Sequence, residues 1–113
     1  MFSKSLVAAS SKPLILSILK KGKNYGYALT QEVKKVSGGT LEWADGMLYP
    51  VLKRMEKDGL IQSEWIISKN ERPRKYYFIT EKGKEALIQE REMWFKMHDT
   101  LGKLWGFSEL SIE

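Results

Sequence analysis

The chain has 113 residues, 42% of them hydrophobic and 29% charged. That balance suits one folded domain and argues against a disordered chain. No apolar run is long enough to cross a bilayer, and with zero cysteines there is neither a disulfide nor a thiolate metal site. A formal net charge of +5 favours a polyanionic partner without naming it.

Other classes are narrowed by what the chain lacks. It has one histidine, no glycine-rich phosphate loop and no cluster with metal-ligand spacing. No enzyme, catalytic residue, cofactor or metal is therefore expected. In "MFSKSLVAASSKPLILSILKKG" the small residues precede the apolar run, whereas a signal peptide places them after it. A cytoplasmic location is expected, with no membrane partner.

In chain order, residues 4–21 carry the first helical pattern, ended by Gly22. Pro13 leaves two options there: a long interrupted helix starting near residue 4, or a shorter one starting near residue 12 and capped by Ser11. Leu29, Val33 and Val36 space a second helix from about Tyr25 to Ser37, closed by Gly38 and Gly39. After the short apolar segment "TLEW", Leu48, Val51, Leu52 and Met55 form the inner face of a third helix, which stops at Gly59. The period then shortens. Ile61, Trp65 and Ile67 alternate partly with polar residues in "LIQSEWIIS", and "KYYFIT" is aromatic and β-branched. Joined by "KNERPR", these segments predict a two-stranded hairpin. Thr80 is the expected N-cap of a last helix over residues 81–105, with Gly106 as its stop.

Three helices followed by a hairpin make a winged helix-turn-helix, here with one further helix. The expected fold is mainly α with a small β-hairpin. Residues 1–80 are expected to form the winged helix-turn-helix, a DNA-binding domain by the usual role of that motif, 81–106 a C-terminal helix for dimerisation and 107–113 a loose tail.

The third helix poses a question, since it carries Gly46 at its start and Pro50 in its body. Pro50 cannot donate to the carbonyl of Gly46, and its ring crowds that carbonyl. A glycine there is freest to move its carbonyl aside, which predicts a kinked or tightened first turn. Tyr49 and Lys53, four residues apart, then share the face opposite Leu48 and Leu52.

Four segments in order, "YGYALTQEV", "SGG", "GMLYPVLKRMEKDGLI" and "RPRKYYFITEKGKEAL", make residues 14–87 similar to the PadR family of transcriptional regulators. Gly46 and Pro50 belong to the family motif. Two positions depart from it: Ala44 stands where the family has a polar cap, and Tyr25 where it usually has histidine. Asp45 compensates the first through the helix dipole.

The resemblance implies a DNA-binding regulator, usually a repressor, whose partner is double-stranded operator DNA. Tyr49, Lys53 and Arg54 are candidates for base-edge or phosphate contact. Gly46 and Met47 lie at the end of the helix that points into the groove, Met47 either touching a thymine methyl or joining the core. Arg72, Arg74 and Lys75, with Lys69 nearby, suit a wing that grips phosphates or reaches a minor groove. Tyr25 and Tyr27 open the second helix, whose N-terminus suits phosphate, unless Tyr27 packs inward.

Leu87, Trp94 and Leu101 recur every seven residues, with Met97 and Leu104 at intermediate positions and Glu90 breaking the stripe. So small a domain has little left for this stripe to cover, which predicts a homodimer through the last helix. Within the family, the chain looks most like the small, multidrug-responsive repressors. That likeness implies a planar aromatic effector held at the dimer interface by Trp94 and Met97, with Leu6, Ala9 and Pro13 from the first helix. The plainer reading has Trp94, Met93 and Met97 filling the dimer core, and His98 a surface or interface residue. A winged-helix module for protein–protein assembly, without an operator, is the competing function.

Overall fold

The computed structural model describes residues 2–106. Its elements are α1 (Lys4–Lys20), β1 (Asn24–Tyr25), α2 (Gly26–Val36), α3 (Asp45–Lys57), β2 (Ile61–Ile66), β3 (Arg74–Ile79) and α4 (Glu81–Trp105). This is the order of a winged helix-turn-helix followed by one long helix. The expected tail lies outside the described residues.

The longer form of α1 is the one adopted. Ser3, not Ser11, caps it, its hydroxyl accepting from the Leu6 N–H at 3.1 Å. Pro13 sits inside the helix and offers no N–H to the carbonyl of Ala9. Serine hydroxyls bond the carbonyls around this gap: Ser10 donates to Val7, Ser11 to Ala8 and Ser17 to Pro13 itself. Ile15, Leu16 and Leu19 then run into the core.

The hairpin gains a third strand. β1 pairs with β3 and β3 with β2, all antiparallel, in the order β1-β3-β2. Asn24 and Tyr25 lie opposite Tyr77 and Tyr76, so Tyr25 closes a strand and α2 begins at Gly26. A strand of two residues is too short for its periodicity to be read. The expected apolar alternation in β2 holds only at Ile61, which is buried; Trp65 and Ile67 are exposed, and Ile67 lies past the strand end.

The core gathers Ile15, Leu16 and Leu19 of α1, Leu29 and Val33 of α2, and Leu48, Leu52 and Met55 of α3. Leu41 and Trp43 from the connector, Leu60 from the turn after α3, Ile61 and Tyr77 from the sheet and Leu87 of α4 complete it. Thr80 ties the start of α4 to the end of α3. Its hydroxyl donates to the Gly59 carbonyl at 2.6 Å and accepts from the Gly83 N–H at 3.0 Å. Gly83 rests directly on the Leu60 carbonyl, where a Cβ has no room. Beyond Glu90, every residue from Arg91 to Thr100 is exposed.

Candidate nucleic-acid interface

The first turn of α3 is tightened. The N–H groups of Met47 and Leu48 share the Ala44 carbonyl, both at 3.0 Å, and the helix then passes through Pro50 unbroken. As expected from Ala44, no side chain caps this end, and Asp45 is the acid in its first turn. Leu48 and Leu52 are buried, while Tyr49 and Lys53 face solvent. Met47 turns inward and packs on the core. Arg54 is exposed and paired with Asp58 at 3.3 Å.

A cleft of about 710 Å3 opens between the start of α2, α3 and the wing. Tyr25, Tyr27, Tyr49, Arg72, Arg74 and Lys75 all line it, so six of the ten residues assigned to DNA meet in one concavity. Gly46, Met47, Lys53 and Arg54 lie outside it along α3. Tyr27 is 65% exposed, which excludes the core reading. Tyr49 reaches across to α2: a Cβ on Gly26 would stand 2.6 Å from its hydroxyl. Glycine at residue 26 therefore lets the two helices share this contact.

Charge in the cleft is one-sided. Arg72, Arg74 and Lys75 face a single acid, Glu71. The N-terminus of α2, at the cleft wall, has neither a side-chain cap nor an acid in its first turn. Its positive end is thus left for an external anion. Two of these cations lie over aromatic rings, Lys75 at 5.8 Å from the centre of Tyr77 and Arg74 closer to that of Tyr25. The Arg74 guanidinium lies 4.4 Å from the centre of the Tyr25 ring, and Tyr25 meets Tyr76 edge-on at 5.3 Å. This stack latches the wing to the start of α2. Burial, then the nearby carboxylate of Glu56 and then Tyr49, push the Tyr77 phenol above its usual value.

The residues expected to hold an effector divide between two grooves, both bordered by Trp94. Leu6 and Pro13 line a groove of about 460 Å3 with Trp94 and with Val33 and Val36 of α2. Ala9 and Met97 line a separate, smaller one of about 280 Å3, again with Trp94 and with Glu90 and Met93. Glu90 breaks the apolar stripe because it is a buried anchor: its carboxylate pairs with Lys12 at 3.0 Å and accepts from the Trp94 indole N–H at 3.2 Å. In the sequence Trp65 belongs only to a strand pattern, yet it lines the same cleft as Tyr27 and Tyr49.

Comparison with known proteins agrees with this architecture. The model of the transcriptional regulator PadR-like family matches residues 15–89. A transcriptional regulator from Clostridium thermocellum superposes with a TM-score of 0.82 at 27% identity, covering 91% of this chain and 97% of its own. A PadR family transcriptional regulator from Eggerthella lenta DSM 2243 gives 0.76 at 33% identity, covering 88% of this chain and 85% of its own. The negative transcriptional regulator PadR of Bacillus subtilis (strain 168) is 32% identical over 76 residues, 67% of this chain. The chain spans 42% of that relative's length.

Proposed function

Since the chain belongs to the PadR-like family of transcriptional regulators, we propose that it is a homodimeric, cytoplasmic repressor that binds double-stranded operator DNA through the cleft and α3. The observation that carries this reading is the cleft itself: Arg72, Arg74 and Lys75, an uncapped helix end and exposed tyrosines all line one concavity. Lys53 and Arg54 on α3, with Gly46 at its exposed start, extend the same surface. Phosphates are taken by Arg72, Lys75 and the α2 terminus, and base edges by Tyr49 and Lys53. Arg74 holds the wing against Tyr25 at the duplex. Met47 supports α3 from the core side.

In this reading residues 1–80 bind DNA and residues 81–106 form the dimer. Supporting the second part, α4 leaves Met93, Phe95, Met97, Leu104 and Trp105 exposed, more apolar surface on one helix than a monomer of this size normally shows to water. A planar effector in the grooves beside Trp94 would displace α4 against α1. The spacing of the two α3 helices would change, and DNA affinity would fall by population shift.

The test is a gel shift with a duplex from the region upstream of the protein's own gene, alongside sedimentation. The wild type forms a dimer and a discrete complex. Lys53→Ala with Arg74→Ala keeps the dimer and loses the complex; unchanged binding by this variant refutes the assignment.

A further inference from the structure

Trp65 is 67% exposed, yet the strand register gives it a definite direction. Ile61 lies opposite Ile79, Ser63 opposite Tyr77 and Trp65 opposite Lys75, so these six share one face of the sheet. That face looks towards α3: Ile61 and Tyr77 are buried, and the Ser63 hydroxyl donates to the Glu56 carboxylate of α3 at 2.7 Å. The hairpin runs on past the core. At Trp65 the inward face therefore meets open space, the cleft lined by Tyr27, Tyr49, Arg72 and Lys75.

We propose that Trp65 is a DNA-contacting residue that packs against the deoxyribose rings of the strand whose phosphates Arg72 and Lys75 neutralise. This rests on reading the cleft as the operator-binding face. In an intact duplex the faces of the bases are covered by stacking. What a cleft at backbone level meets is phosphate and the C–H surface of the sugar. Cations serve the first, and an indole that shares the cleft with two exposed tyrosines serves the second, gaining affinity by leaving water. The contact is apolar and releases no counterion. It strengthens binding at every salt concentration alike, unlike the arginine beside it.

Binding of the upstream duplex, and of one of its strands alone, is measured over a range of salt for wild type, Trp65→Ala, Trp65→Phe and Arg72→Ala. An unchanged unfolding midpoint confirms that each variant is folded. Trp65→Ala is expected to weaken duplex binding about tenfold at all salt concentrations, with an unchanged salt slope. Trp65→Phe retains most of the affinity, and Arg72→Ala flattens the slope by about one. Trp65→Ala binding like wild type overturns the inference and leaves the regulator reading standing. A flattened slope for Trp65→Ala overturns it too, since Trp65 would then act through the charges. So does tighter Trp65-dependent binding of the single strand, because the indole would be stacking on bases. A wild-type protein that binds no duplex at any salt removes both readings together.

Discussion

Glu90 holds Trp94 from one helical turn back, its carboxylate accepting the indole N–H at 3.2 Å while the other oxygen takes the ammonium of Lys12 at 3.0 Å. One buried acid thus sets the orientation of the indole and ties α4 to α1. Removing it by Glu90→Ala frees Lys12 to water, since that side chain is already 46% exposed, but leaves the indole without its acceptor. The expected loss of stability is about 1–3 kcal/mol. Glu90→Gln keeps an acceptor for Trp94 and costs less. Urea unfolding gives the order, and tryptophan emission shifts further to the red in Glu90→Ala than in Glu90→Gln.

Gly26 and Tyr49 form a second dependent pair. Gly26→Ala sets a methyl 2.6 Å from the Tyr49 hydroxyl, and the end of the tyrosine side chain is the part that can move. Duplex affinity is expected to fall about tenfold because a near-central contact is displaced. In a Tyr49→Ala background the same change should cost nothing further. A double-mutant cycle on binding reads the coupling, and additive losses would show that the two residues act separately.

Gly46 separates stability from binding. A Cβ there meets nothing within 4 Å, so Gly46→Ala relieves the entropy cost of glycine in a helix and should stabilise the fold by about 0.5–1 kcal/mol. The same methyl would stand between α3 and an approaching duplex. Thermal unfolding should therefore rise while DNA affinity drops, a combination that a purely structural glycine would not give.

Gly83 behaves in the opposite way. Its missing side chain makes room for the Leu60 carbonyl, which is backbone and cannot swing aside. Gly83→Ala should lift α4 off the turn after α3 and lower stability by about 1–3 kcal/mol, read as a shift in the denaturant midpoint.

The raised Tyr77 phenol predicts an alkaline weakness. Folded and unfolded chains both hold this proton at neutral pH, so Tyr77 contributes no pH dependence there. Above the ordinary value of 10.0 the unfolded chain releases the proton first, and stability falls as pH rises towards the folded value. Tyr77→Phe should flatten that fall relative to wild type in unfolding measured from pH 9 to about pH 11.

The helices were readable because each buries a stripe at helical spacing, as Leu48, Leu52 and Met55 do in α3. Thr80 and Gly106 were readable as caps because their chemistry is local. β1 was not, since two residues show no period and its pairing with Tyr76 and Tyr77 is long-range. The start of α1 was ambiguous because the hydroxyls that accommodate Pro13 act only once the helix exists. Tyr25, Tyr27, Tyr49, Arg72, Arg74 and Lys75 stand out in the sequence through the motifs, but their meeting in one cleft depends on β3 pairing with β1 at the start of α2. The place of Trp65 was not legible because its strand pattern fits a buried face and a face that overshoots the core equally well. Glu90 registered only as a flaw in an apolar stripe, because its partners lie on α1 and one turn along α4.

The account stands on two copies of α3 reading one duplex together, and a hydroxyl-radical footprint on the upstream DNA tests that most directly. Two protected patches should appear, centred about 10–10.5 base pairs apart or a multiple of that, and both should vanish with Lys53→Ala and Arg74→Ala. A single patch, or two that survive those substitutions, would contradict it.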